Sequence, residues 1–380
     1  MFAYILLVLT LFSAVYGTPK VKRDVASYRH VCQAISAAIS SKSAVYYPGS
    51  TLYTKDVYHY SNSSTQQSAC TVEPGSAKDV GVILRLLGST RTPFGVKSGG
   101  HAMNPGFSSS KGVQIALYRF NEVDYDAKMQ SVVIGAGLNF DDVYAALAPN
   151  NVSVAGGRVT GIGVGGFLLG GGYSWKTNQY GLGIDTIIAY ELVLPDGKVV
   201  QVTKKSDAEL FFGLKGGYNN FGIVTRFTVK ALPQTSIWGG TIIFPESSVL
   251  EVTTAVIEFS GTNSDTKANI IPSYAYYKNQ IIVSQMLYYD SSTQPAGFFD
   301  NFLTIPSARA DVRSRSLTDF ISNTVSNSSA GLRGAYHTVP LLEYTQNIMK
   351  VIQNETIASC PLSLQPDSPT KFPVLGQNFI

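Results

Sequence analysis

The chain has 380 residues, 44% of them hydrophobic and only 14% charged, which excludes a disordered chain and leaves room for two domains. Its formal net charge is +4, and its longest basic cluster is Lys20-Val21-Lys22-Arg23. That balance excludes a dedicated nucleic-acid binder, so nucleic acid is not an expected partner.

Residues from Ala3 to Val15 are almost wholly apolar, and the run ends in small residues, Ser13-Ala14 and then Gly17. The run is too short to span a bilayer and starts at the first residue. Residues 1–17 therefore read as a secretory signal peptide rather than a buried helix, and no membrane partner is expected. Lys22-Arg23 reads equally as a dibasic processing site or a solvated turn. Secretion places the three cysteines, Cys32, Cys70 and Cys360, in an oxidising compartment. The preferred pairing is Cys32–Cys70, closing a loop worth about 4 kcal/mol in the chain-entropy view, with Cys360 left over. Cysteine spacing points to no metal site. Secretion also makes the sequons at Asn62, Asn151, Asn327 and Asn354 glycosylation acceptors.

Further along, Ser76 caps a predicted helix from Ala77 to Leu87, with Val80, Ile83, Leu84 and Leu87 on one face. A strand from Pro93 to Lys97 runs into the loop Ser98-Gly99-Gly100-His101. Strands are predicted over Val113–Leu117 and Ser131–Ile134, and Asn139 caps a helix through Leu147. Ile187–Leu194 and Lys198–Val202 form a hairpin around Pro195-Asp196-Gly197. Ser206-Asp207-Ala208-Glu209 reads as a capping box, and Ile223–Val229 closes the block as a strand. After Pro233 the texture changes: strands over Thr241–Phe244 and Gln280–Tyr288 alternate with helices over Ser248–Glu258 and Leu341–Ile352. This mixture indicates an α+β fold with a second domain.

Two glycine-rich segments carry the chemistry. One is the Ser98–His101 loop. The other runs from Gly156 to Gly172 and contains Gly161-Ile162-Gly163-Val164-Gly165-Gly166. Glycine this dense is entropically costly, and it is kept where backbone must closely approach a long phosphate-bearing cofactor. The second segment satisfies G-x-G-x-x-G with Asp185 downstream, the pattern of a nicotinamide site. That reading is rejected because Gly170-Gly171-Gly172 would break the required helix within two turns. A lone loop histidine is ordinarily a solvated side chain, and the flanks of His101 change its meaning.

The stretch from Pro93 to His101 resembles the flavin-attachment loop of the berberine-bridge-enzyme-like oxidoreductases, which carry a PCMH-type FAD-binding domain. Gly156–Gly172, then Tyr180-Gly181-Leu182 with Asp185, then Asn220–Thr225 match in the family's order. The resemblance implies a PCMH-type domain of two α/β subdomains over residues 66–235, an N-terminal segment over 18–65, and a substrate domain of antiparallel sheet plus helices over 236–380. It implies FAD bonded covalently to His101, with Lys97, Ser98, Gly99, Gly100 and Ala102 in the attachment loop. Gly157, Val159, Thr160, Gly163 and Gly165 would lie along the flavin, and Ile223 at its adenine end. Some members carry a second link from a cysteine; Val159 holds that place here, so a single link is expected. The implied reaction moves a hydride from a small-molecule substrate to the flavin, with molecular oxygen as acceptor. Tyr180 is the candidate at the flavin face, or an ordinary packed tyrosine. Trp175 is core or pocket wall, and the general base is unassigned. The family's C-terminal Asn/Tyr-rich motif does not appear before Ile380, so the substrate domain is expected to be truncated. The alternative reading is a non-catalytic flavin- or substrate-binding remnant.

Overall fold

The computed structural model describes residues 28–277, 279–324, 330–333, 338–363 and 374–376. The expectations for residues 1–17, Lys22-Arg23, the Asn327 sequon, the Cys360 side chain and residues 377–380 lie outside them. No described helix is long and apolar enough to cross a membrane. Asn62, Asn151 and Asn354 are exposed.

The first sheet is built from β1 (Ala44–Tyr46), β2 (Cys70–Glu73), β3 (Phe94–Lys97) and β4 (Val113–Ala116), in the order β1-β2-β4-β3. Strands β2 and β3 flank β4 in parallel, while β1 is antiparallel. All four residues of both β2 and β4 are buried, including the polar Thr71, Glu73 and Gln114. The helix Ala77–Thr90 connects β2 to β3. Ser76 accepts from the Asp79 backbone N–H as its N-cap, and Val80, Ile83, Leu84 and Leu87 are buried. Helix Arg29–Ala38 packs beside it and is tied to β2 by the Cys32–Cys70 disulfide, Cα–Cα 6.1 Å.

The next strands are β5 (Val123–Asp126), β6 (Ser131–Gly135), β7 (Val152–Ser153), β8 (Ile187–Val193), β9 (Val199–Thr203), β10 (Ile223–Lys230) and β11 (Leu232–Pro233). An antiparallel sheet runs β5-β6-β10-β8-β9, and β7 pairs with β11. The hairpin β8–β9 turns at Gly197, φ +84°, where Leu194 N–H donates to Lys198 O. The expected capping box at Ser206 is corrected. The helix is Ala208–Gly213 and its cap is Asp207, which accepts from Leu210 N–H, while Ser206 bonds back to Thr203. Asn139 does begin the helix Phe140–Leu147, but its side chain makes no cap bond; its backbone bridges to Gly163 instead.

A third large sheet is antiparallel, from β12 (Ile237–Phe244), β13 (Ala268–Tyr277), β14 (Gln280–Tyr289), β15 (Arg309–Arg315) and β16 (Val374–Gly376), ordered β15-β12-β14-β13-β16. Helices Val249–Thr262 and Gln346–Ser363 pack on it. The latter begins at Gln346, not at Leu341 as the pattern predicted. The fold is thus α+β throughout, and the strand texture changes between β11 and β12. One core fills the first two sheets and also takes in Tyr288, Leu317, Phe320 and Ile321 from beyond that change. A second core lies on the third sheet, around Phe244, Val252, Tyr274 and Phe299. Trp175 is buried at their junction, stacked on Tyr288 at 5.0 Å, and donates from Nε1 to Arg158 O.

The junction is also polar. Lys176 Nζ lies 2.6 Å from Asp290 Oδ2, with side-chain exposures of 2% and 8%. The same carboxylate accepts from Gln179, Gln234 and the Tyr288 hydroxyl. Lys176 Nζ donates additionally to Pro233 O. A buried ion pair satisfied this completely ties residues far apart in sequence into one geometry.

Candidate functional site

Strand β3 ends at Lys97 and delivers the loop Ser98–His101 to the seam between the first two sheets. The Gly156–Gly172 segment reaches the same seam from the other side. Phe140 N–H donates to Ile162 O and Val164 N–H to Leu138 O, while Asp141 accepts from the Thr160 hydroxyl and Gly161 N–H. These bonds hold the segment against helix Phe140–Leu147. The two glycine backbones then touch. A Cβ on Gly99 would stand 2.5 Å from Gly163 N, and one on Gly163 would stand 2.6 Å from Gly99 Cα. Ser98 Oγ accepts from Gly165 N–H at 3.0 Å and closes the contact.

Beside that contact lies a cavity of about 450 Å³. Its wall includes Ser98, Gly99, Gly100, His101 and Ala102 from the first segment, Gly163 and Gly165 from the second, and Ile223 from the start of β10. His101 supplies its most reactive group. The imidazole stacks on Tyr60 with centroids 4.0 Å apart, and its Nε2 is buried without a hydrogen-bond partner. Burial holds its pKa below the usual histidine value, favouring the neutral ring with a free lone pair.

Several predicted residues lie elsewhere. Lys97 does not reach the cavity wall. It is 1% exposed, its ammonium donates to Lys55 O at 2.9 Å, and burial pushes its pKa down to about 8. Its stem lies beneath Gly100, φ +74°, where a Cβ would meet Lys97 Cε at 2.7 Å. Asp56, which faces the same buried region, is pushed up to about 6 by burial. Gly157 accepts from the Tyr144 hydroxyl and makes room for Ile162, which does line the cavity. Thr160 is turned to Asp141, and Val159 is half-buried away from the wall. Tyr180 is 37% exposed and off the wall; Lys176 Nζ sits 5.9 Å from its ring.

Residues 68–203 match the family described as the FAD binding domain. The chain carries an FAD-binding domain. It is 35% identical over 272 residues to an FAD-dependent monooxygenase of Aspergillus calidoustus, covering 70% of this chain and 52% of that protein. It is 36% identical over 274 residues to an FAD-linked oxidoreductase of Arthroderma benhamiae, covering 71% and 55%. The chain spans about half the length of these relatives. The fold is that of 6-hydroxy-D-nicotine oxidase from Arthrobacter nicotinovorans, with TM-score 0.68 and 21% identity over 74% of this chain and 63% of that one. Berberine bridge enzyme shares it at TM-score 0.66 and 16% identity, over 80% and 64%. The PCMH-type architecture that the resemblance implies is therefore the one observed.

The FAD-binding domain fits its cofactor on two counts. His101 stands on the cavity wall, and Gly166 on the same wall leaves open space that a side chain would occupy, since a Cβ there would meet nothing within 4 Å. Sequence reasoning missed Tyr60, Phe107, Leu117, Phe167 and Tyr218. The last four line the cavity, and Phe107 meets Tyr218 edge-on at 5.0 Å. Each is an aromatic or leucine indistinguishable in sequence from core. Among the described residues on the wall, His101 and Tyr218 are the titratable side chains. No described cluster of His, Cys, Asp and Glu could hold a metal ion.

Proposed function

We propose that this chain forms the flavin-binding part of a secreted FAD-dependent oxidoreductase in which His101 carries the flavin through a single covalent link. Its substrate is a small alcohol, amine, sugar or secondary metabolite, and oxygen is the electron acceptor. Bound FAD would supply the hydride-accepting chemistry. The chain's own residues supply position. Gly99 and Gly163 let the two glycine segments pack backbone to backbone, Ser98 locks them together, Gly166 keeps the wall free of a side chain, and Ile223 and Phe107 exclude water from the cavity. Neutral His101 presents a lone pair, the form in which an imidazole can bond to carbon. The observation that carries the reading is the placement of His101 on the wall of a glycine-lined cavity, beside the backbone contact of Gly99 with Gly163.

The test is acid precipitation of purified protein beside His101→Ala. Flavin absorbance retained in the wild-type pellet and released to the supernatant from the variant is the expected result. A colourless wild-type pellet would refute the covalent link and favour the non-catalytic remnant.

A further inference from the structure

The covalent-flavin reading leaves open what aims the imidazole. A histidine ring turns about a broad terminal torsion, so its backbone position alone does not fix the plane of the ring. A hydrogen bond from a ring nitrogen usually fixes it. Here Nε2 has no hydrogen-bond partner. The feature that restrains the ring plane is the face of Tyr60, inclined only 21° to it at 4.0 Å.

Tyr60 is itself held on several sides. Its backbone N–H donates to Gly100 O at 3.0 Å, the residue directly before His101. Its carbonyl accepts from Gly331 N–H at 2.7 Å, and Asn62 N–H donates to Leu332 O at 2.9 Å. The preceding residue, His59, is fully buried; its Nδ1 bonds to Val57 O and its Nε2 to the Ser108 hydroxyl, each at 2.9 Å. The Tyr60 backbone is therefore braced from the helix Thr51–Val57, the loop after His101 and the segment 330–333. A flat aromatic face on an imidazole excludes water from one side and favours parallel, offset contact. Tyr60 also lies before residue 68, outside the stretch matching the FAD binding domain.

We infer that Tyr60 is the positioning residue for flavin attachment: its stacked face fixes the plane of the His101 ring at the cavity wall. It acts through His101 and touches no reacting atom. The inference rests on the covalent-flavin reading, and its consequences separate from it. Tyr60→Phe keeps the platform and should keep covalent flavin in the acid pellet. Tyr60→Leu and Tyr60→Gln remove the flat face. Either variant that melts with the wild type should lose covalent flavin at least tenfold while still binding FAD that acid releases. A second measurement needs no cofactor. In cofactor-free protein labelled at histidine, the His101 ring protons, assigned by their loss in His101→Ala, should carry an upfield ring-current shift. That shift should persist in Tyr60→Phe and vanish in Tyr60→Leu. Wild-type covalent flavin in a folded Tyr60→Leu, or His101 resonances that do not move, would overturn the inference. A colourless wild-type pellet would defeat the covalent link alone, and the ring-current shift would then decide for or against the Tyr60 platform.

Discussion

The contact between Gly99 and Gly163 makes a sharp prediction. Gly163→Ala adds one methyl where Gly99 Cα would lie 2.6 Å away and Ser98 Oγ 2.8 Å away. Both distances are shorter than real Cβ contacts, and Gly99 is backbone, which has no rotamer with which to yield. Forcing extra volume into a well-packed interior costs about 1–3 kcal/mol. With β3 on one side and helix Phe140–Leu147 on the other, the upper end applies. If the seam relieves the clash by opening, the cavity loses its shape, and about 3 kcal/mol corresponds to roughly a hundredfold weaker FAD binding. The comparison is Gly88→Ala, inside the helix Ala77–Thr90, where a Cβ meets nothing within 4 Å. That change should be neutral or stabilise by up to about 1 kcal/mol through lost unfolded-state freedom. Flavin fluorescence titration and thermal melting read both variants. A Gly163→Ala protein that binds FAD and melts like the wild type would refute the close-approach argument.

The buried ion pair at the junction predicts an asymmetric response. Asp290→Ala leaves the Lys176 ammonium buried and should destabilise by about 3–5 kcal/mol, whereas Lys176→Met with Asp290→Leu should cost far less; calorimetry of the variants would show it, and equal losses would contradict it. His59 predicts a pH dependence. Burial, the largest cause, lowers its folded pKa below 6.5, so the unfolded chain binds more protons as pH falls through that value. Its stabilising contribution is complete above about pH 6.5 and is lost as pH falls toward the folded pKa. The melting-temperature gap between wild type and His59→Gln should therefore shrink between pH 7 and pH 5. A constant gap would mean His59 does not titrate there. Asp56, raised in the folded protein, works in the opposite direction over the same acid range, which is why the difference between the two proteins is the quantity to measure.

Some elements were legible because a local rule marks them. Ser76 with Val80, Ile83, Leu84 and Leu87 specifies a capped amphipathic helix without reference to the rest of the chain. Pro195-Asp196-Gly197 likewise specifies the β8–β9 hairpin. Strand β15, Arg309–Arg315, was illegible because it is a mostly exposed edge with no apolar alternation. Strand β13 was hidden by Pro272 in its middle, a residue that argues against a strand by itself. The cap at Asp207 rather than Ser206 was a choice between two adjacent good caps, decided by which side chain β9 engages.

By itself the sequence determined the α+β class, the Cys32–Cys70 pairing and the two glycine segments. All of these rest on composition, local pattern or residues whose chemistry has few uses. Tertiary structure alone decided that Gly99 meets Gly163, that Lys97 lies beneath its loop rather than in the cavity, and that Thr160 turns to Asp141. It also decided that Lys176 closes on Asp290 and that Tyr60 carries the His101 ring. The physical reason is common to them. Each depends on which way a side chain or backbone faces after distant segments pack, and a one-residue change of register or rotamer would reverse it without altering any local pattern.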